Sequence, residues 1–182
     1  HIKGRIPSSI GEVQTLRVLN LGHNKFDGKL PDLHHLVKLE LLSVVGNELK
    51  GHLDGKLPNS PNMDVIDISN NRFSKDLPKK LFTYRHARIV IAGQNCFTAS
   101  IPQEVCRMED LEILSLNGLG VACRPLAWAP LKTPFLKIAY GVNLPKCIFS
   151  FSNISTIHLS NNGIHHDLSS LKHASDSLLD VD

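Results

Sequence analysis

The sequence predicts an α/β repeat solenoid, a coil with one short strand per turn and the strands stacked side by side as a parallel sheet. Three observations predict it. A pattern apolar-x-x-apolar-x-apolar-x-x-Asn recurs along the chain, beginning at Leu16, Leu19, Leu21 and Asn24. Its last position recurs at Asn24, Asn47, Asn71, Asn95, Leu119, Asn143 and Asn162, steps of 23, 24, 24, 24, 24 and 19 residues. The half-unit after each Asn repeats as well. Phe26, Gly28, Leu30 and Pro31 follow Asn24; Leu49, Gly51 and Leu53 follow Asn47; Phe73, Leu77 and Pro78 follow Asn71. Such a unit cannot bury its apolar face alone, so neighbouring turns must bury it for each other.

Each element follows from its residues. The apolar-x-apolar step alternates side chains between the two faces of a strand and sends Leu19, Leu42, Ile66, Val90 and Leu114 inward. The recurring Asn turns inward where the strand ends, because its amide both donates to and accepts from backbone groups the bend leaves unpaired. Gly28 and Gly51 suit a bend needing positive φ. Pro7, Pro31, Pro78 and Pro102 stop helix or strand and hold the chain on the outer side. Further apolar residues three and six places later (Ile10 and Val13, Leu81 and Tyr84, Val105 and Met108, Ile148 and Phe151) complete the turn.

These residues resemble leucine-rich repeats of the plant type, whose unit reads L-x-x-L-x-L-x-x-N-x-L-x-G-x-I-P. Asn24-Lys25-Phe26-Asp27-Gly28-Lys29-Leu30-Pro31 fits it closely. The resemblance implies a right-handed horseshoe with a concave parallel β-sheet and a mostly irregular or 3-10 convex side. It covers 1–182 as one array of about six to seven repeats of roughly 24 residues. It further implies a non-catalytic binding domain of an extracellular receptor-like protein in signalling or defence, with a peptide or protein ligand and a co-receptor to consider beside it. A secreted inhibitor of a hydrolase and an intracellular scaffold are the alternatives; the scaffold predicts free cysteines.

Composition agrees with a binding module and excludes other classes. Hydrophobic residues make up 42% and charged residues 20%, enough for a packed core. A net charge of +3 and 5% aromatics argue against a nucleic-acid partner. No run of 18 apolar residues is present, so this segment does not span a membrane. No Ser/His/Asp or Cys/His constellation with a nucleophile motif occurs, and Gly118-Leu119-Gly120 lacks the third glycine and the βαβ setting of a nucleotide loop. No enzyme activity and no cofactor are expected.

The candidate ligand-binding residues are the outward x positions of the strands. They form an edge column of alternating charge (Arg17, Glu40, Asp64, Arg88, Glu112) and an apolar column (Val18, Leu41, Val65, Ile89, Ile113). A more polar column follows (Asn20, Ser43, Asp67, Ile91, Ser115), with Ser69 and His23 beyond it. The apolar stripe flanked by polar groups suits a peptide, and it equally suits lateral packing between strands.

Irregular features need their own readings. Leu119 breaks the Asn ladder, and Lys75 and Ala99 stand where glycine belongs. Asn143 is followed at once by Leu144-Pro145, so the array is irregular at 119–150. That stretch is either a sixth repeat (Phe135, Ile138, Tyr140, Asn143) or a loop between two regular turns. Asn71→Ala is expected to destabilise and Leu119→Asn to be neutral or stabilising. Cys96, Cys106, Cys123 and Cys147 follow no zinc spacing and are either free thiols or disulfides. Cys106 and Cys123 could approach if they lie on adjacent turns, and sequence alone does not fix the pairing. His158, His165, His166, His173 and Asp167 diverge in the repeat register, so no metal site is expected. Six cations from Arg72 to Arg88 point to outer faces and bends, not to one groove. Asn153-Ile154-Ser155 is the glycosylation sequon. Neither end shows a polar capping repeat, and Leu178 and Val181 carry the spacing of an eighth unit, so the sequence reads as part of a longer protein.

Overall fold

The computed structural model describes residues 1–98, 101–119, 144–162 and 180–181. The apolar-x-apolar steps form the strands β2 (Val18–Asn20), β4 (Leu41–Ser43), β6 (Val65–Asp67), β8 (Ile89–Ile91), β10 (Ile113–Ser115), β11 (Thr156–His158) and β12 (Asp180–Val181). They pair in parallel in that order as a seven-stranded sheet. Its central row runs Leu19, Leu42, Ile66, Val90, Leu114 and Ile157. All six side chains are buried. Each stabilises the coil by roughly 1.5–3 kcal/mol through burial before entropy is counted.

A second parallel sheet, which the sequence reading did not foresee, lines the flank. It joins β1 (Lys3–Arg5), β3 (Lys25–Gly28), β5 (Glu48–Gly51), β7 (Arg72–Asp76) and β9 (Cys96–Thr98). Its signal was the buried Phe26, Leu49, Phe73 and Phe97 alternating with exposed or half-buried neighbours. The Phe73 and Phe97 rings stack 6.4 Å apart. On the outer side, 3-10 turns at Ser8–Glu12, Lys79–Phe82, Gln103–Arg107 and Lys146–Phe149 each follow a proline. That proline's carbonyl accepts the first turn bond, as from Ile10 N–H to Pro7 (3.2 Å) and Leu81 N–H to Pro78 (3.1 Å). The 52–60 segment lacks such a turn and is held by the Tyr84 hydroxyl, which donates to the Pro58 carbonyl at 2.6 Å. Burial pushes the Tyr84 phenol well above its ordinary range.

The Asn ladder is built from bonds between turns. Asn71 Oδ1 accepts from Leu49 N–H (3.0 Å), while its Nδ2 donates to the carbonyls of Val44 (2.9 Å) and Ser69 (3.0 Å). Asn47 and Asn95 repeat this from Phe26 and Phe73 N–H. The bend before each ladder position is left-handed in every described turn: His23 (φ 56°), Gly46 (65°), Asn70 (52°), Gln94 (54°), Gly118 (60°) and Asn161 (59°). Gly28 and Gly51 also sit at positive φ, and Lys75 adopts the same conformation at 71°. A non-glycine residue there costs on the order of 1 kcal/mol.

Leu114 pairs directly with Ile157, so β10 and β11 are neighbours in this sheet although 43 residues apart in sequence. The sixth unit's own residues, with Asn143 and Trp128, lie outside the described residues, as do Ala99, Cys123 and Leu178. Val181 pairs with Ile157, as the eighth unit's spacing requires.

Candidate ligand-binding face

The sheet register aligns the outward positions into two columns. Val18, Leu41, Val65, Ile89 and Ile113 stand in one line, which continues through the polar Thr156 on β11 to Asp180 on β12. Val18 is 55% exposed and the other four are half-buried, so the apolar stripe is real and partly open. Asn20, Ser43, Asp67, Ile91, Ser115 and His158 form the second line. Ser43, Ser69 and Ser115 were expected as exposed contact residues and are instead buried. The short Ser43 lies between Asn20 and Asp67 on adjacent strands, and Ser115 between Ile91 and His158, so longer neighbours cover both. Local bonds take up two of the hydroxyls: Ser69 Oγ donates to Asp67 Oδ1 (2.5 Å) and Ser115 Oγ to Asn117 Oδ1 (3.1 Å). His23 is not on a strand. It occupies the left-handed bend, exposed, and its carbonyl lies 3.0 Å from His1 Nδ1.

The edge column neutralises itself. Arg17 Nε donates to Glu40 Oε1 at 2.9 Å. Arg88 grips Asp64 with two bonds of 2.8 Å and reaches Glu112 at 3.6 Å. The Arg88 hydrogen bond holds the Asp64 carboxyl below the usual carboxylate range against the opposing effect of burial. The Glu40 hydrogen bond raises Arg17. Exposed pairs of this kind stabilise by under about 1 kcal/mol each.

Beside this edge, and unforeseen from sequence, lies a hollow of about 580 Å³ lined by His86, Arg88, Asp110, Glu112, Ser152, Asn153 and Ser155. His86 Nδ1 meets Asp110 Oδ2 at 2.7 Å there. The sequon asparagine is exposed, and its Nδ2 donates to the Glu109 carbonyl at 3.1 Å.

Of the two cysteine alternatives the structure shows disulfides. Cys106 bonds to Cys147 with Cα atoms 5.6 Å apart, not to Cys123, and Cys96 is also disulfide-bonded. The reason is the stacking order: the turn at Gln103–Arg107 packs on the turn at Lys146–Phe149. The cations from Arg72 to Arg88 diverge as expected. Arg72 pairs with Glu48, Lys79 with Glu104 and Arg85 with Glu109, while Lys80 lies 5.2 Å from the centre of the Tyr84 ring. Among the described residues no three His, Cys, Asp or Glu side chains converge as metal ligands; His165, His166, Asp167 and His173 lie outside them.

Comparison with known proteins agrees with this architecture. The family profile described as Leucine Rich Repeat matches residues 15–36. Receptor-like protein 7 of Arabidopsis thaliana is 31% identical over 116 residues, which cover 62% of this chain and 11% of that protein. Receptor-like protein 41 of the same plant is 34% identical over 117 residues, covering 62% and 13%. The ectodomain of the Arabidopsis receptor kinase GASSHO1/SCHENGEN3, solved with CASPARIAN STRIP INTEGRITY FACTOR 2, superposes with a TM-score of 0.69 at 26% identity, covering 87% of this chain and 17% of that one. Pollen Receptor Kinase 3, at 20% identity, shows the same fold with a TM-score of 0.70 over 97% of this chain and 78% of its own. The chain thus spans about a tenth of the curated relatives' length. Its fold is a leucine-rich-repeat solenoid, and its sequence is similar to segments of plant receptor-like proteins.

Proposed function

We propose that this chain is a non-catalytic binding segment of an extracellular or cell-surface receptor-like protein, and that it takes an extended peptide or protein segment across the concave face of its seven-stranded sheet. The observation that carries this reading is the aligned, half-open apolar column from Val18 to Ile113 beside a self-neutralised charged edge. A preformed sheet presents these side chains with little ordering cost at binding. The GASSHO1/SCHENGEN3 ectodomain, solved in complex with CASPARIAN STRIP INTEGRITY FACTOR 2, supports it by analogy. The Cys106–Cys147 bridge supports an oxidising compartment and speaks against the intracellular scaffold. In such a compartment Asn153 is the candidate glycan acceptor, and a mass decrease on endoglycosidase treatment of secreted protein is the expected sign.

The test is panning of a random short-peptide phage library against the 182-residue chain, followed by rebinding to Val65→Glu and Ile89→Glu variants. Selected peptides are expected to lose about tenfold or more in affinity for both variants. Equal binding to the variants overturns the assignment of the face.

A further inference from the structure

We propose that Asp67 is the charge-reading point of this face, selecting ligand segments in which a lysine, an arginine or a free amino group sits between aliphatic side chains. This rests on the concave sheet being the ligand surface and adds what that surface recognises.

Four observations meet at this residue. In the five strands β2, β4, β6, β8 and β10, Asp67 is the one charged side chain. The register places it between Ser43 and Ile91, with Leu41, Val65 and Ile89 in the adjoining column, so its surroundings are mostly aliphatic. Its orientation is fixed, because Oδ1 accepts from Ser69 N–H (3.0 Å) and from Ser69 Oγ (2.5 Å). No cation pairs with it among the described residues, whereas Glu40, Asp64 and Glu112 at the sheet edge each face an arginine.

The physical consequence is selectivity. A half-buried carboxylate with apolar neighbours interacts more strongly with an incoming cation than a fully hydrated one does. Ammonium and guanidinium groups donate charge-assisted hydrogen bonds that a fixed carboxylate oxygen accepts without further ordering. A neutral segment laid over the same place would strip water from the carboxylate and give nothing back, and an anionic one would be repelled. The serines at the neighbouring positions are buried, so they do not compete for this recognition.

The experiment uses the same peptide library on the intact chain, on Asp67→Asn and on Ile89→Glu. Asp67→Asn keeps the shape and the Oδ1 acceptor for Ser69, and an unchanged melting curve verifies its fold. Peptides selected on the native chain are expected to be enriched in Lys or Arg. They should lose roughly tenfold in affinity for Asp67→Asn. Replacing that Lys with norleucine should weaken native binding equally, with no further loss on Asp67→Asn, the signature of a direct pair. Peptides without cation enrichment, or with unchanged affinity for Asp67→Asn, overturn this inference. If those same peptides still lose affinity for Ile89→Glu, the binding face itself stands. Peptides indifferent to both variants, or no selectable peptide at all, overturn the face and the Asp67 assignment together.

Discussion

The turns from β2 to β8 and the junction after β10 solve one problem in two ways. In the regular turns, a buried Asn side chain ties each turn to the one before it: Asn47, Asn71 and Asn95 accept a backbone N–H and donate to two or more carbonyls. At the junction, Leu119 has no such side chain, and main-chain groups stand in. Its carbonyl accepts from Phe97 N–H (2.9 Å), and its own N–H goes to Asn162 Oδ1, 43 residues further on (2.9 Å). The Cys106–Cys147 bridge then links the outer sides of two stacked turns whose cysteines lie 41 residues apart in sequence. The side-chain ladder therefore sets the regular spacing of the coil. Where it lapses, a covalent link and the next described Asn tie the two neighbouring turns together.

The largest effect should follow from removing that link. Cys106→Ser with Cys147→Ser is expected to cost about 4 kcal/mol in the loop-entropy account of a bridge closing a loop of this length. Urea unfolding followed by circular dichroism reads this directly. A loss well under 1 kcal/mol would mean that β10–β11 pairing and Asn162 suffice at the junction.

Next comes Leu119→Asn, where the structure reverses the sequence expectation of a neutral or stabilising change. Leu119 is 1% exposed and belongs to the core, and the bond an Asn would supply to Phe97 N–H is already made by the main chain. Burying an amide without partners and losing a leucine should cost roughly 3 kcal/mol. An unchanged unfolding midpoint would show that the junction relaxes to accept the ladder side chain.

What was legible in the sequence was whatever repeats. Leu19, Asn24 and Phe26 recur at one interval, and recurrence fixes which face each side chain takes. The columns of the face followed from the same period, and with them Asp67 and the ion-paired edge. Exposure along a column was not legible, because the burial of Ser43 and Ser115 depends on how side chains pack across neighbouring strands and not on the repeat period. Nor was the Cys106–Cys147 pairing, since it depends on which turns stack on one another. The left-handed bend was hidden for a different reason. His23, Asn70, Gln94 and Asn161 share a backbone conformation and not a residue type.

Within the regular turns, Asn71→Ala should cost about 2–3 kcal/mol, since it leaves the buried Leu49 N–H and the Val44 carbonyl without their partner. Asn24→Ala serves as its control. That side chain's Oδ1 receives Ile2 N–H in an exposed setting, where water replaces it, so a loss of under about 1 kcal/mol is expected. Equal losses at the two sites would show that the ladder's contribution does not depend on burial.

The smallest effect belongs to the sheet edge, which is alike in form along β2 to β10 and contributes little anywhere. Arg88 depresses the folded-state value of Asp64, so the pair's contribution is fully present at neutral pH. It is lost only as pH falls below the ordinary carboxylate range of about 4 and through the depressed folded value. Because both groups are solvent-accessible, the contribution should be small and should shrink with added salt. Arg88→Met should therefore lower the unfolding midpoint slightly at pH 7 and low salt, and not at all at a pH low enough to protonate Asp64 in the native fold. A deficit that persists in acid would instead assign the role of Arg88 to packing of its aliphatic stem over the neighbouring strands.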